Sequence, residues 1–459
     1  MKISELKSSL EKDYDLVAFV DLADLYSTHS AVFKLFTEVR KDEFEDHERI
    51  VLYSKYTPEK SFLDYIYRAA KKVDIGEYFI IIICSSDLSD TKLFANKGYG
   101  AYDSLCPMPF LHVDLDQKTK INKLATCCKI KQPYDHGSIT DFFLNDQTSN
   151  LRKQMLQGKK PAECRVCWEN EANGVTSFRQ HAWDTYHNIV DIEAIDNIQI
   201  RSVTWNPTSL CNFKCRICNS NSSSSIAAEE GKLIFQDIKN NNLVIDELIR
   251  LPYLEKIHIL GGEPLMWPGL KDLVDKLIEY NIAKNIHIEF NTNGSKYPEA
   301  LINKMVKNFR QVEFHVSLDD VEQRFEITRG SKWDIVDENI KRLSAIASVQ
   351  LCVTVNLQNV LYLDELTTYA NSLNLPIIWW YLERPDFYCI DNATSELAKA
   401  VIEKYSAHPV QELRSIAMRI KTANGNSKDF IENTHKIDTR RQQNFSKSHK
   451  ELYELMGVK

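Results

Sequence analysis

Three cysteines stand close together in the stretch "SLCNFKCRICNS" of this 459-residue chain, at Cys211, Cys215 and Cys218. Their C-x3-C-x2-C spacing puts three thiolates on one short loop, and thiolates are soft ligands that suit iron and zinc. Structural zinc sites have four ligands and usually open with a C-x2-C pair. An iron–sulfur cubane held by three cysteines instead keeps its fourth iron open for a substrate or cofactor. The spacing therefore favours an open iron–sulfur cluster over half of a zinc site that borrows a distant ligand.

A second set of cysteines lies upstream, at Cys106, Cys127, Cys128, Cys164 and Cys167. One C-x2-C pair plus two further cysteine positions supplies four thiolates, which fit either zinc or a closed [4Fe–4S] cluster. The surrounding residues are rich in turn formers and weakly periodic, as in segments whose fold depends on a metal. The sequence thus predicts a closed metal site here, and spacing alone leaves the metal open.

Composition and charge narrow the class of protein. The N-terminal stretch "MKISELKSSLEKDYD" is charged throughout and lacks a signal-peptide core, so we expect a cytoplasmic protein whose eleven cysteines bind metal or pack rather than form disulfides. Cys84, Cys352 and Cys389 sit in apolar stretches and are expected to be buried side chains. The apolar run "YFIIIIC" is too short to span a membrane. The net charge of −7 gives no indication of membrane or nucleic-acid binding.

The elements that must position the three cysteines form a regular series over residues 196–384. Six strand patterns alternate with helical stretches, which predicts a parallel sheet in an α/β fold, a partial (β/α)6 TIM-like barrel. The strand patterns are "IQIRSVTW", "KIHILGG", "HIEFNTN", "VEFHVSLD", "QLCVTVNL" and "PIIWWYLE". Polar motifs follow the strands at 261–263, 291–294, 317–319 and Asn356, and the carboxyl ends of parallel strands are where such sheets carry their active sites.

The rest of the chain divides into three segments that differ in their strand, helix and cysteine patterns. Residues 1–100 alternate between strand-like stretches such as "LVAFVDL", "RIVLYSKY" and "EYFIIIICSS" and helical ones, which predicts an N-terminal α/β module of unknown role. Residues 101–195 form the cysteine-rich segment, with a short helix expected near "SNLRKQMLQGKKP". Residues 385–459 predict a charged, helical C-terminal region. The run "SNSSSS" at 220–225 reads as low complexity.

Together these motifs resemble the radical S-adenosylmethionine (SAM) superfamily. After Cys218 the sequence continues with "LGGEP" at 260–264, "NTNG" at 291–294, "VSLDD" at 316–320, "RFEITRGSKWDIVDENI" at 324–340 and "TVNLQNV" at 354–360. One such motif alone is weak, but their order over 196–384 is specific. Ile217 departs from the family, in which many members carry an aromatic residue just before the last cysteine.

The resemblance implies a SAM site on the open iron of a [4Fe–4S] cluster. It places around SAM the residues Gly261, Gly262, Glu263, Asn293, Ser317, Arg329 and Asn356. The glycines would let the backbone approach the methionine part, and Glu263 would accept a hydrogen bond from its ammonium group. Arg329 would pair with the SAM carboxylate, although an ordinary surface ion pair is the competing interpretation. An ordinary turn is the competing interpretation for Asn293.

The upstream cysteines resemble the twitch and SPASM auxiliary-cluster domains of the same superfamily. The resemblance assigns Cys106, Cys127, Cys164 and Cys167 to a second [4Fe–4S] cluster, with Cys128 as the rival of Cys127. Such domains usually follow the barrel, whereas here the cysteines precede it.

The implied activity is reductive cleavage of SAM to a 5′-deoxyadenosyl radical that abstracts a hydrogen atom from a substrate. Family base rates favour a peptide or protein substrate, with the auxiliary cluster assisting oxidation or bond formation, and an external donor such as flavodoxin or ferredoxin. Oxidation or rearrangement of a small polar metabolite, such as an aminosugar or nucleotide, is the alternative. Tyr381, Glu383 and Arg384 either face that substrate or form a plain strand-end polar cluster. Non-enzymatic alternatives are an iron–sulfur electron carrier and a zinc-stabilised interaction protein.

Overall fold

The computed structural model describes residues 52–54, 82–84, 104–117, 123–130, 134–135, 137–172, 177–186, 199–232, 238–420 and 427–457. The chain divides into two compact units, one of residues 1–111, 126–132 and 144–197 and one of residues 112–125, 133–143 and 198–459. Most of the predicted N-terminal module lies outside the described residues. Within it, β1 (Leu52–Ser54) and β2 (Ile82–Cys84) pair in parallel. They lie in two of the predicted strand stretches, "RIVLYSKY" and "EYFIIIICSS".

The second unit contains one sheet of nine strands, which pair in the order β11-β10-β9-β8-β7-β6-β3-β4-β5. Its strands are β3 (His112–Asp116), β4 (Lys123–Ala125), β5 (Tyr134–Asp135), β6 (Ser202–Asn206), β7 (Lys256–Ile259), β8 (His287–Thr292), β9 (Gln311–Ser317), β10 (Ser348–Val355) and β11 (Ile377–Tyr381). Strands β6 to β11 are parallel and lie side by side in chain order. All six strands predicted for residues 196–384 are therefore confirmed, together with the partial (β/α)6 barrel.

The cysteine-rich segment contributes a strand that the sequence pattern did not reveal. Strand β3 pairs in parallel with β6, from His112 opposite Ser202 to Asp116 opposite Asn206, and β4 and β5 continue the sheet in antiparallel fashion. Its five residues alternate too briefly to stand out among turn formers. Val113 and Leu115 are nevertheless buried, so this strand extends the core beyond the six β/α units.

Helices separate the parallel strands and follow the last of them. The helices of the described residues are α1 (Met108–Leu111), α2 (Ile139–Leu144), α3 (Asp146–Leu156), α4 (Arg165–Ala172), α5 (Phe178–Tyr186), α6 (Ser224–Glu229), α7 (Ile238–Leu248), α8 (Leu270–Glu279), α9 (Glu299–Asn308), α10 (Glu322–Arg329), α11 (Trp333–Ser344), α12 (Leu363–Ser372), α13 (Ser395–Tyr405), α14 (Gln411–Ile420), α15 (Ser427–Arg441), α16 (Phe445–Ser448) and α17 (Lys450–Leu455). None of these is both long and apolar enough to cross a membrane.

Amphipathic helices cover one face of the sheet. In α8 the buried residues are Leu270, Leu273, Val274 and Leu277, the i, i+3, i+4, i+7 stripe of a helix with one apolar side. The strands offer alternate apolar side chains to this layer, such as Ile257, Ile288 and Phe314, all without exposed surface. The apolar layer lies on one face, so the other face of the strands is free to carry polar groups.

Candidate functional site

The loop after β6 carries the three cysteines. The Cys218 amide donates to the Cys215 carbonyl at 3.1 Å, and the Phe213 amide donates to Cys211 Sγ at 3.4 Å. Burial raises the pKa of Cys215 to about 12, and the neighbouring thiols of Cys218 and Cys211 add to this rise. The three predicted thiols are thus brought together, and their mutual repulsion as thiolates is the kind that bound iron relieves.

The serine run that follows is structural rather than low complexity. Ser223 caps α6 by accepting from the Ile226 amide, and its hydroxyl donates to the Phe213 carbonyl at 2.8 Å. Ser224 Oγ accepts from the Cys211 amide at 2.9 Å and, with Ser225, donates to the Cys211 carbonyl. These hydroxyls fix the backbone of the first cysteine, a role that sequence reasoning missed because capping serines look like a polar tract.

The two glycines after β7 pack directly on the cysteine loop. The Gly262 amide donates to the Thr208 carbonyl at 2.9 Å, and the Glu263 amide donates to the Leu210 carbonyl at 2.7 Å. A Cβ at Gly261 would lie 2.6 Å from the Thr208 oxygen, and φ at Gly261 is +140°, a conformation that side chains rarely adopt. The backbone of both glycines lies close to the cysteine loop. Their predicted close approach to SAM stays a prediction.

Glu263 is fully buried, and its carboxylate joins the loop after β7 to the end of β8. Its Oε1 accepts from the Leu265 amide at 3.0 Å and from Thr292 Oγ1 at 2.8 Å, and its Oε2 accepts from the Asn293 amide at 2.6 Å. Burial raises the pKa of Glu263, and these three donors act against that rise. The carboxylate therefore holds the β8 loop in place, while its predicted contact with the SAM ammonium stays untested.

Asn293 links the β8 loop to the cysteine loop. Its Nδ2 donates to Asn212 Oδ1 at 3.1 Å and lies 3.7 Å from Cys211 Sγ, within hydrogen-bonding distance of sulfur. Its Oδ1 accepts from the Ser295 amide at 2.9 Å. The turn interpretation therefore holds for this residue, which also lies beside the first cysteine, and its contact with SAM stays a prediction.

Arg329 is a buried cation beside the cysteines, not a surface ion pair. Its Nη1 donates to Asp319 Oδ2 at 2.8 Å, and Asp319 Oδ1 accepts from the Thr354 amide. Burial opposes the charged guanidinium, but the Cys215 thiol and the Asp319 carboxylate together raise its pKa. Its Nε is buried and meets no acceptor among the described residues. A buried donor without an acceptor, beside the thiols of Cys215 and Cys211, suits an anionic ligand.

Two further unpaired polar atoms lie at the carboxyl ends of strands. Asn206 Oδ1, at the end of β6, and Gln358 Nε2, in the loop after β10, are both buried without a hydrogen-bond partner in the described part of the chain. Asn356 shapes that loop by accepting from the Gln358 amide at 2.8 Å and donating to the Thr354 carbonyl at 2.7 Å. Ser317, the last residue of β9, is half-buried. Sequence reasoning missed both: Asn206 stands in no quoted motif, and Gln358 lies within "TVNLQNV" at a position to which the resemblance assigned no role.

The C-terminal region braces the cysteine loop. The buried Arg216 guanidinium pairs with Asp438, donates to Gln443 Oε1 at 2.9 Å and stacks on the ring of Phe445. Arg441 pairs with Glu229 at 2.9 Å and donates to the Lys214 carbonyl. Helix α15 thus clamps both flanks of Cys215, a function that the sequence did not predict for this region.

The auxiliary cysteines come together within the first unit. Cys106, Cys127 and Cys167 are buried, Cys164 is half-buried and Cys128 is exposed. Burial raises the pKa of Cys164 to about 12, and the Cys167 thiol adds to this. Burial also raises the pKa of Cys106 and Cys127, each with a contribution from Cys164. These thiols therefore lie close enough to affect one another's pKa, and the auxiliary cluster and the choice between Cys127 and Cys128 stay predictions.

Arg179 supplies positive charge to this group of thiols. Its guanidinium donates to the Leu105 carbonyl at 2.9 Å, pairs with Glu171 at 2.6 Å and lies over the Trp168 ring. It lowers the pKa of Cys106 and Cys164 against the larger effect of burial. A fixed cation beside these thiols suits a site whose ligands become thiolates.

The face of β7 to β10 opposite the apolar layer is polar. His258 Nε2 and His315 Nδ1 contact Asn291 Oδ1 at 2.8 and 3.2 Å, and Gln350 donates to Glu313. Burial lowers the pKa of His258 to about 4. Hydrogen bonds from His287 and His315 lower the pKa of Glu313. This face thus carries the neutral imidazole of His258 and the ionised carboxylate of Glu313.

Residues 205–360 match the family model of the Radical SAM superfamily. The chain is 25% identical over 240 residues to a GTP 3′,8-cyclase of Helicobacter pylori, covering 50% of this chain and 69% of the relative. It is 30% identical over 175 residues to a GTP 3′,8-cyclase of Staphylococcus epidermidis, and the match covers 35% of this chain and 44% of the relative. The solved structure of native anSMEcpe with bound AdoMet and Kp18Cys peptide matches at 15% identity and a TM-score of 0.36, covering 51% of this chain and 62% of that one. The family match assigns a radical SAM domain to residues 205–360, and the prediction of a radical SAM enzyme is confirmed.

Proposed function

We propose that this chain cleaves SAM reductively at a [4Fe–4S] cluster held by Cys211, Cys215 and Cys218. When bound, the cluster would supply the electron that converts SAM to methionine and a 5′-deoxyadenosyl radical, which takes a hydrogen atom from substrate. The observation that carries this proposal is a contact between two motifs. Gly262 and Glu263 of "LGGEP" donate backbone hydrogen bonds to the loop that holds the cysteines. The contact between "LGGEP" and the cysteine loop supports the proposal that the two motifs serve one site.

The proposed SAM site uses the strand ends around this loop. Its residues are Gly261, Gly262, Glu263, Asn293, Ser317, Arg329 and Asn356. The unpaired Arg329 Nε is suited to an anionic oxygen, and the unpaired Asn206 Oδ1 is suited to a donor such as an ammonium group. Asn206 and Gln358 therefore join the predicted set as candidate contacts.

A second cluster at Cys106, Cys127, Cys164 and Cys167 belongs to the same proposal. The shared neighbourhood of these thiols and the cation of Arg179 support it. With four protein ligands assigned, the cluster would transfer an electron rather than bind substrate. The net reaction would then be an oxidation or a bond formation.

Two substrate classes remain proposals. Family base rates favour a peptide or protein. The polar face of β7 to β10 favours a small polar metabolite, because histidine and glutamate side chains there can bind its polar groups. The curated relatives named GTP 3′,8-cyclase support the second class, a nucleotide being one such metabolite.

An external one-electron donor would reach the cluster from the side of Cys218. A pocket of about 450 Å³ is lined by Cys218, by the apolar Ile217 and Phe387, and by Arg384 and Lys436, among others. Both of these cations are exposed, and neither forms an ion pair with the described residues. An apolar centre with a cationic rim suits an acidic partner protein such as a flavodoxin.

The proposed function is tested with reconstituted enzyme, dithionite, SAM and deuterated candidate substrates. Transfer of deuterium from one candidate into 5′-deoxyadenosine identifies the substrate class. Cleavage of SAM with no transfer from peptide or metabolite candidates would remove both proposed classes while leaving SAM cleavage in place. Replacing dithionite with flavodoxin, and Lys436 with Glu, tests the donor face: a slower reaction with flavodoxin alone is expected.

A further inference from the structure

Five ionisable side chains on the polar face form one cluster across three neighbouring strands: His258, His287, Glu289, Glu313 and His315. In the parallel register His258 stands opposite Glu289, and Glu289 stands opposite Glu313. Residues opposite one another share a face, and so do their second neighbours along each strand. The cluster therefore follows from the fold and not from chance rotamers.

The ligand atoms in this cluster are close enough to share a cation. Those of His258, Glu289 and His315 all lie within 4.8 Å of one another, as do those of His287, Glu289 and Glu313. A first-row metal about 2.1 Å from each ligand holds ligand atoms about 3.0–3.5 Å apart. Small side-chain rotations therefore close either group around one ion, and Glu289 belongs to both.

The charges and hydrogen bonds of the cluster leave room for a cation. Lys256 Nζ holds Glu289 Oε1 at 2.5 Å, while Glu289 Oε2 lies 3.7 Å from His258 Nδ1. His287 Nε2 lies 3.1 Å from Glu313 Oε2, and His315 Nε2 lies 3.0 Å from Glu313 Oε1. Within this cluster the two carboxylates outnumber the one lysine, so a bound cation would balance the remaining negative charge.

We propose that His258, Glu289 and His315 bind a first-row divalent metal ion, with His287 and Glu313 as supporting or alternative ligands. Two imidazoles and a carboxylate suit zinc, iron(II) and cobalt(II) better than magnesium or calcium, which prefer oxygen ligands alone. Three protein ligands leave a further coordination position for water or for a carboxylate or phosphate oxygen of a small molecule. Its proposed ligands are not among the predicted cluster cysteines, and the proposal does not depend on the proposed radical chemistry.

The test is zinc binding by the full chain with its clusters reconstituted. After equilibrium dialysis against Zn²⁺, elemental analysis should find about one zinc per chain. X-ray absorption at the zinc edge should show nitrogen and oxygen ligands at about 2.0–2.1 Å, with imidazole scattering. Sulfur at about 2.3 Å would place the zinc on cysteines and overturn the proposal, as would the lack of stoichiometric zinc.

Variants assign the ligands. The double variant His258→Ala/His315→Ala should lose the bound zinc, and Glu289→Gln, which keeps the side-chain shape, should bind it at least tenfold more weakly. His112→Ala is the matched control, because His112 lies on the same sheet and contacts Ser202 rather than the cluster. Zinc binding that is unchanged in the double variant would contradict the assignment, and so would equal losses in the control.

Discussion

Asn293 Nδ2 lies 3.7 Å from Cys211 Sγ, so a side chain of the β8 loop reaches the first thiol of the cysteine loop. The same amide group donates to Asn212 Oδ1, the neighbour of that cysteine. A residue predicted to contact SAM is therefore also placed to tune the cluster.

Replacing Asn293 with Asp should lower the reduction potential of the cluster. Hydrogen bonds to cluster sulfurs favour the reduced state, and the loss of one bond of about 1 kcal/mol corresponds to about 40 mV for one electron. The added carboxylate should deepen the shift. Redox titration followed by electron paramagnetic resonance measures it. Ser295→Ala, which alters only the contact with Asn212, is the control, and an unchanged potential in Asn293→Asp would contradict the predicted tuning.

Gly262→Ala should destabilise the protein and impair cluster loading. The new Cβ would lie 2.6 Å from the Ser209 oxygen, a backbone atom that cannot move without displacing the cysteine loop. Overpacking of this kind costs about 1–3 kcal/mol. Denaturant unfolding and iron content measure the effect. Gly137→Ala is the control, because a Cβ there meets nothing within 4 Å, and equal losses in both variants would show that the close approach is unimportant.

Asp438→Asn should lower the free energy of unfolding by about 3–5 kcal/mol, because it leaves the buried charge of Arg216 without its partner. Iron retention at the cysteine loop should fall with it. Glu403→Gln removes a partner from an exposed pair and should change stability by less than about 1 kcal/mol. Full stability of Asp438→Asn would show that α15 does not brace the loop.

The Glu229–Arg441 pair should contribute to acid sensitivity. Burial raises the pKa of Glu229, but Arg441 and Lys214 more than offset it, so the net shift is downward. A lowered carboxylate pKa gives stability that is complete above the unfolded value near 4.5 and is lost as pH falls through the folded value. Glu229→Gln should therefore flatten the acid limb of the stability curve below about pH 5. An unchanged acid limb would contradict the pairing.

Removal of the C-x2-C pair should halve the iron content. Wild-type protein is expected to hold about eight irons, and Cys164→Ala/Cys167→Ala about four, because one [4Fe–4S] cluster is lost. Cys128→Ala should keep the full content, since this side chain is exposed. Four irons in the wild type, unchanged in the double variant, would exclude the auxiliary cluster.

The sequence predicted the strands that belong to a regular series and missed the strand that stands outside it. Strands β6 to β11 were predicted because apolar strand patterns alternate with helical stretches over residues 196–384. Strand β3 is as long as β6 but lies among the turn formers of the cysteine-rich segment, so its pattern did not stand out.

The site residues divide in the same way. The cysteines and the residues of "LGGEP" and "NTNG" stand in motifs, so their placement at the strand ends could be predicted. The hydrogen bond from Ser223 to the Phe213 carbonyl joins residues ten positions apart, and the bracing of Arg216 by Asp438 joins residues more than two hundred positions apart. No local pattern encodes such contacts. The cluster of His258, Glu289 and His315 likewise appears only when three strands are set in register.

The most direct test of the central claim is the yield of 5′-deoxyadenosine from SAM. Reconstituted protein is incubated anaerobically with SAM and dithionite, and the products are separated by liquid chromatography. Wild-type protein should release 5′-deoxyadenosine and methionine, and the variant Cys211→Ala/Cys215→Ala/Cys218→Ala should release neither. Wild-type protein that holds its full complement of iron and leaves SAM intact would contradict the account.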